Sequence, residues 1–311
     1  MKKILLVCVA IVLVFASIAS SADISDDPIA KQAFQHRYVE DVRSEDPIAK
    51  VPWNTANIDK LRALDKAAIE RFTDIKEGGN ELLDFGWFDL AGDGRYELAI
   101  VYSGGRGPNW LDIYWQDAPG KMRKEGPDSF PGAAAKLSET FRDLNGDGKL
   151  ELVLYSSLGV GAEEAEWPQI HRLQNGSWVD ASRDFPKFYD TEVLPQLEKD
   201  ISEAREEVAK HQGDPKPAPG PRFVQRKVEW RQPQRHLAAL VMVRDTILRV
   251  LGRDPTAGLA EAREWMKSDD PYLVRDAVAV LEDIGGHEQE LSAAKSTLER
   301  VQQHAPPADS L

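Results

Sequence analysis

Two stretches of this 311-residue chain space oxygen-bearing side chains in the same way. One reads Asp89-Leu90-Ala91-Gly92-Asp93-Gly94-Arg95-Tyr96-Glu97-Leu98, the other Asp143-Leu144-Asn145-Gly146-Asp147-Gly148-Lys149-Leu150-Glu151-Leu152, and their first residues lie 54 apart. Counted from Asp143, side-chain oxygens fall on positions one, three, five and nine (Asp143, Asn145, Asp147, Glu151), and Lys149 at seven offers its backbone carbonyl. Alternate residues of a tight loop point inward, and Gly148 at position six permits the sharp turn. Three carboxylates and an amide are hard donors that suit Ca²⁺, whereas Mg²⁺ demands stricter octahedral geometry and keeps more water. An EF-hand needs a bidentate acid at position twelve, and Leu154 stands there inside an apolar run, so that class is excluded. The first copy keeps Asp89, Asp93 and Glu97, with Arg95 at position seven, but Ala91 at three carries no ligand. A water could take that place at a cost in affinity. The competing reading is that Asp89 and Asp93 only cap the turn through Asx hydrogen bonds.

The elements that must position these loops are strands. Leu82–Phe88 leads into the first loop and Leu98–Tyr102 leaves it; Trp110–Trp115 is the next strand, and the turn at Asp117-Ala118-Pro119-Gly120 starts another. The second copy repeats the order with Leu152–Tyr155, Trp167–Leu173, a hairpin turn at Asn175-Gly176, and Trp178-Val179. Strands that leave the loops are apolar at successive positions, which marks burial on both faces. A duplicated unit of this kind signals a β repeat. The pattern resembles the FG-GAP or VCBS repeats, the calcium-loop β units of integrin-type propellers, over about residues 80–180. The resemblance implies that Asp143, Asn145, Asp147 and Glu151 ligate calcium with the Lys149 carbonyl, and that Asp89, Asp93, Arg95 and Glu97 are their counterparts. The family more often has Asp at position nine. Two such units cannot close a propeller, which needs about four or more blades. The expectation is therefore two blade-like sheets packed together, or an open β fragment capped by helices.

Around this module the chain is mostly helical. Helical spacing runs from Thr55 to Phe72 and stops at Glu77-Gly78-Gly79-Asn80, while residues 23–50 read as an irregular or partly disordered polar lead with the echo Asp27-Pro28 and Asp46-Pro47. Leu194, Leu197, Ile201, Ala204 and Val208 form one apolar helical seam. The stretch 214–222 is a proline-rich linker. Further helices are expected at Leu237–Leu251, Ala257–Lys267, Tyr272–Ile284 and Glu288–Gln303, with Asp254-Pro255 and Asp270-Pro271 as starts. Residues 269–286 resemble a HEAT-type helical repeat, and stacks of that type bind other proteins; a single hairpin can equally be a packing cap. The fold class is thus α+β, two blade-like antiparallel β units with calcium-type loops followed by an α-helical, HEAT-like C-terminal region. The division is a signal segment at 1–22, a polar lead and helix at 23–79, the β module at 80–190, a helix at 191–212, the linker at 213–222 and the helical region at 223–305.

Lys2 and Lys3, the apolar run Ile4–Phe15 and small residues through Ala22 have the three-part pattern of a secretory signal peptide, cleaved after Ala22 or Ala19. The rival reading is an uncleaved anchor, although the run is short for a span. Val7 before Cys8 is too large for a lipid-attachment box, and removal of the segment leaves no cysteine, hence no disulfide or thiolate chemistry. The setting reads as bacterial and extracytoplasmic, periplasmic or secreted, with no membrane span after cleavage. The formal charge of −13 becomes −15 when Lys2 and Lys3 are lost, which argues against nucleic acid or an anionic membrane as partner.

Other chemistry is thin. The six histidines have no metal-ligand spacing, and neither a G-x-S-x-G elbow nor a phosphate loop is present. The segments Ser103–Pro108, with Arg106 beside Trp110, and Gly159–Glu166, with Glu163, Glu164 and Glu166, read as loops that suit sugar or peptide ligands, or as plain solvated connections. A carbohydrate partner is weakened because Trp87, Trp110, Trp115 and Trp178 sit in strands, where core packing is expected. The functional expectation is a non-catalytic, calcium-stabilised binding or scaffold protein whose partner meets the helical region or the loops. The alternative is a hydrolase or lyase on an extracellular polymer, with catalytic carboxylates among Glu163, Glu164 and Glu166.

Overall fold

The computed structural model describes residues 39–76, 79–104, 109–126, 132–160, 163–210, 223–268 and 271–304. The signal segment, most of the polar lead, the loop around Arg106 and the proline-rich linker lie outside the described residues. In chain order the first half contains β1 (Val39–Arg43), α1 (Pro47–Lys50), α2 (Ile58–Arg62), α3 (Lys66–Thr73), β2 (Glu81–Phe88), β3 (Glu97–Ser103), β4 (Asn109–Ala118) and β5 (Lys121–Glu125). Then come α4 (Leu137–Thr140), β6 (Phe141–Arg142), β7 (Glu151–Val160), β8 (Glu163–Gln174) and β9 (Ser177–Asp180). All strand pairs are antiparallel, ordered β1-β5-β4-β3-β2 in one sheet and β6-β7-β8-β9 in the other. The chain is an α+β protein with two blade-like sheets, as the repeats led one to expect.

Side-chain alternation explains how one strand serves two cores. On β3, Leu98, Ile100 and Tyr102 join Trp53, Ile69 and Phe72 under the short helices, while Ala99 and Val101 face the second sheet with Leu152, Leu154 and Trp178. The sheets therefore pack together through a shared apolar layer, and Phe88 meets Phe141 across it with ring centroids 5.0 Å apart. Gly132 staples the layer. Its N–H donates to the Asn109 carbonyl at 3.0 Å, and its carbonyl accepts the Tyr155 N–H at 2.8 Å. The strand tryptophans Trp87, Trp115 and Trp178 are buried as expected, and Trp110 packs at the edge of the first core.

Two local expectations need correction. The end of the polar lead is ordered: β1 pairs with β5, Val42 packs on the first core, and Asp46 caps α1 by accepting the Ile48 N–H at 2.8 Å. Of the β1 side chains Val42 is half-buried while Glu40, Asp41 and Arg43 are exposed, and the strand lies at the sheet edge. The helical stretch after Thr55 is two helices, because Asp65 accepts the Ala68 N–H at 2.8 Å and starts α3 afresh.

The second half is helical. A 3₁₀ turn (Ser182–Asp184), α5 (Pro186–Phe188) and a π turn (Tyr189–Val193) feed α6 (Leu194–Lys210). After the linker come α7 (Phe223–Val250), α8 (Thr256–Trp265), α9 (Pro271–Ile284) and α10 (Glu288–His304). α7 continues through Pro233, beyond the start expected at Leu237. Leu197, Ile201 and Ala204 of the α6 seam meet Leu237–Val243 of α7, and Trp167 and Ile170 of β8 join the same core. The Tyr189 hydroxyl donates to the Pro168 carbonyl at 2.7 Å, tying the π turn to β8.

Candidate metal centre

Each candidate loop joins the first two strands of its meander, β2 to β3 and β6 to β7. The glycines expected to turn the loops do so: Gly92, Gly94, Gly146 and Gly148 all have φ between 71° and 83°. An L side chain resists that backbone region, so the turn selects glycine.

In the second loop the carboxylates organise the backbone. Asp143 Oδ1 accepts the N–H groups of Gly146 at 2.7 Å and Asp147 at 3.1 Å, and its Oδ2 accepts that of Gly148 at 2.9 Å. Asn145 Oδ1 accepts the Asp147 N–H at 2.9 Å, and Asn145 Nδ2 donates to Asp147 Oδ2 at 3.0 Å. Asp147 Oδ1 accepts the Lys149 N–H at 2.8 Å, which, with the Asn145 amide, holds the Asp147 carboxyl below the usual range. Asp143, Asn145 and Asp147 are exposed, whereas Glu151 is fully buried at the root of β7.

Glu151 does something its sequence position did not announce. Its Oε2 accepts the Leu144 N–H at 3.0 Å, closing the loop like a clasp, and Glu97 Oε2 does the same to Leu90 at 2.8 Å. The duplicated motif thus carries a duplicated brace from position nine to the amide of position two. The signal for it was the Leu that follows each leading Asp, since a buried N–H there requires an acceptor. Burial raises the Glu151 carboxyl and lifts Glu97 to about 8, with Asp93 and Asp89 adding repulsion at Glu97.

The first loop differs at its charge balance. Asp89 again collects backbone N–H groups, from Asp93 at 2.9 Å and Gly94 at 3.0 Å. Asp93 Oδ2, however, accepts both Nε and Nη2 of Arg95, at 2.9 and 2.6 Å, and this guanidinium holds the Asp93 carboxyl below its usual range. Position seven, expected to contribute only a carbonyl, supplies a cation here. The loop also leans on residues 53–55: the Tyr96 N–H donates to the Trp53 carbonyl at 2.9 Å, and the Thr55 N–H to the Gly94 carbonyl at 3.3 Å.

The residues of the second loop fit a hard cation. Glu151 Oε1 is buried without a hydrogen-bond partner, 3.7 Å from Arg172 Nε, and it belongs to the same loop as three further oxygen-bearing side chains. Asp143, Asn145, Asp147 and Glu151 are the side chains that would hold a calcium ion there, with the Lys149 carbonyl, and the ion would supply charge neutralisation and cross-linking of the turn. Among the described residues no three acidic or imidazole side chains are gathered round one point; the loop carboxylates face the loop's own amides.

The acidic segment before Glu166 is not a loop. β7 runs to Val160 and pairs with β8, which begins at Glu163, so Glu163, Glu164 and Glu166 belong to a strand. Glu164 and Glu166 are exposed on either side of buried Ala165. Its glycine and alanine content hid a tight hairpin.

Residues 89–154 match the family model described as FG-GAP-like repeat, spanning both loops and the strands between them. No curated protein and no solved structure matches the chain. Repeats of this family are generally protein-interaction modules.

Proposed function

We propose that this protein is a non-catalytic, extracytoplasmic binding module whose β half is locked by calcium at the second loop, with the helical, HEAT-like half contributing a protein-contact surface. The observation that carries the reading is the clasped second loop, in which Asp143 gathers three backbone amides and Glu151 keeps a buried Oε1 that makes no hydrogen bond and has only the Arg172 guanidinium, at 3.7 Å, near it. The match of residues 89–154 to an FG-GAP-like repeat supports a binding role for the β half. The leader-like first 22 residues support export to a compartment where calcium is plentiful, and among the described residues no helix is long and apolar enough to cross a membrane.

In this reading the ion does no chemistry on a substrate. It joins the strand ends on either side of the turn and so fixes the two-sheet layer beneath. The second loop is the stronger site, because the first lacks a ligand at Ala91 and already pairs Asp93 with Arg95. Metal analysis of the purified protein tests the proposal. About one calcium per chain, removable by chelator with a fall in melting temperature, is the expected result; protein that carries no calcium and melts identically with and without chelator overturns it.

A further inference from the structure

A cleft of about 480 Å³ opens where the second sheet meets the helical half, and neither metal loop lines it. Phe188, Leu197, Leu240 and Val243, all buried, provide apolar lining from α5, α6 and α7. Four carboxylates line it, Glu164 and Glu166 from β8, Glu192 from the π turn and Asp200 from α6. One guanidinium, that of Arg142, stands against these four carboxylates, so the carboxylates and guanidinium of the lining sum to −3.

Arg142 shows how this cleft holds a cation. Its guanidinium lies over the Phe188 ring, 5.1 Å from the centroid, and donates to Glu192 Oε2 at 2.8 Å. Phe188 and Glu192 are one helical turn apart, so a ring and a carboxylate together grip the guanidinium. Among the described residues, Glu164 and Glu166 have no cation paired with them, and Asp200 is met by the Gln196 amide at 2.7 Å.

We propose that the cleft is a docking site for a basic side chain, arginine or lysine with its apolar stem, presented by a partner protein. A ligand with an apolar stem and a cationic head satisfies both the floor and the walls. An anion or nucleic acid is repelled by the walls, and a purely hydrophilic cation leaves the floor unused. The proposal goes beyond the calcium reading and does not depend on metal occupancy of the loops.

The test uses the full chain and a fluorescein-labelled acetyl-Leu-Arg-Leu-Arg-Leu amide, followed by fluorescence anisotropy in calcium and again in chelator. The expected result is binding to wild type that weakens with salt and falls about tenfold in the Glu164→Gln/Glu166→Gln variant, the equivalent of about 1.4 kcal/mol. Asp200→Asn, on α6, is expected to weaken binding as well, and a Leu-Glu-Leu-Glu-Leu peptide is expected not to bind. Equal affinity in the variants with melting temperatures unchanged, or a wild-type Kd weaker than about 1 mM, overturns the proposal. Displacement of the peptide by spermidine at equal or lower concentration overturns the protein source and assigns the cleft to a free polyamine. Wild-type protein that does not bind the peptide but keeps the calcium-dependent melting shift sinks this inference alone, and wild-type protein that binds the peptide but shows no such shift sinks only the calcium reading.

Discussion

Glu151 accepts the backbone N–H of Leu144, seven residues before it, at 3.0 Å, and leaves its second oxygen buried without a hydrogen-bond partner. One oxygen of the carboxylate thus braces the loop, while the other lies 3.7 Å from Arg172 Nε. In chelator, Glu151→Ala leaves the Leu144 amide without its acceptor and is expected to cost about 1–3 kcal/mol in urea unfolding. Glu151→Gln keeps an acceptor oxygen and removes a buried charge, so its cost is expected to stay below about 1 kcal/mol. Equal losses in the two variants would contradict the brace.

The contrast between the loops rests on Arg95. Its pair with Asp93 is exposed, so Arg95→Ala is expected to change stability in chelator by less than about 1 kcal/mol. In calcium the same variant frees the Asp93 carboxylate and is expected to show a second, weaker binding event by titration calorimetry. An isotherm identical to wild type would show that Arg95 does not set the difference.

Gly132 gives a sharp structural test. Its φ is +80°, and a Cβ there would lie 1.9 Å from the Tyr155 carbonyl oxygen, at the point where its backbone links Asn109 in one sheet to Tyr155 in the other. Gly132→Ala is expected to destabilise by about 3 kcal/mol or more, since strain and overlap add. A loss under about 1 kcal/mol would mean the two sheets are not stapled there.

Much of this architecture was legible in the sequence. The Asp-x-Asn-x-Asp-Gly spacing, the apolar runs after each loop and Asn175-Gly176, both at positive φ, are short-range signals, and each sits where the residues placed it. Long-range pairing was the harder part. Val39–Arg43 reads as polar lead because its partner strand β5 is some eighty residues away. Glu164 and Glu166 looked like loop residues because only the cross-strand register of β7 and β8 shows the hairpin. The acidic cleft draws its walls from β8, the π turn, α6 and α7, and no local pattern reports such a convergence.

A pH dependence follows from Asp112, which is buried beside Lys124 at 3.4 Å and within 3.5 Å of the Tyr102 hydroxyl. Burial lifts its carboxyl to about 6 against the ordinary 3.8, with the Lys124 ammonium pulling only partly the other way. Between those values the folded chain holds a proton that the unfolded chain releases, so this group's contribution to stability falls as pH rises from about 4 to about 6. Asp112→Asn is expected to gain on wild type by about 2–3 kcal/mol across that window and to run parallel to it above pH 7. His171, held neutral by burial down to about 4, gives a slope of the opposite sign in both proteins and cancels in the difference. A constant difference from pH 4 to 7 would contradict the assignment.

The most direct measurement is a calcium titration followed by melting temperature in wild type and Asp143→Ala. A cation that binds only the folded chain stabilises it by about 2.7 kcal/mol at one hundred times its Kd. For a chain of this size that is a rise of about 4 °C. The account predicts that rise in wild type, none with magnesium at the same concentration, and none with calcium in Asp143→Ala. A wild-type melting temperature that does not move with calcium, or an equal rise in Asp143→Ala, would contradict it.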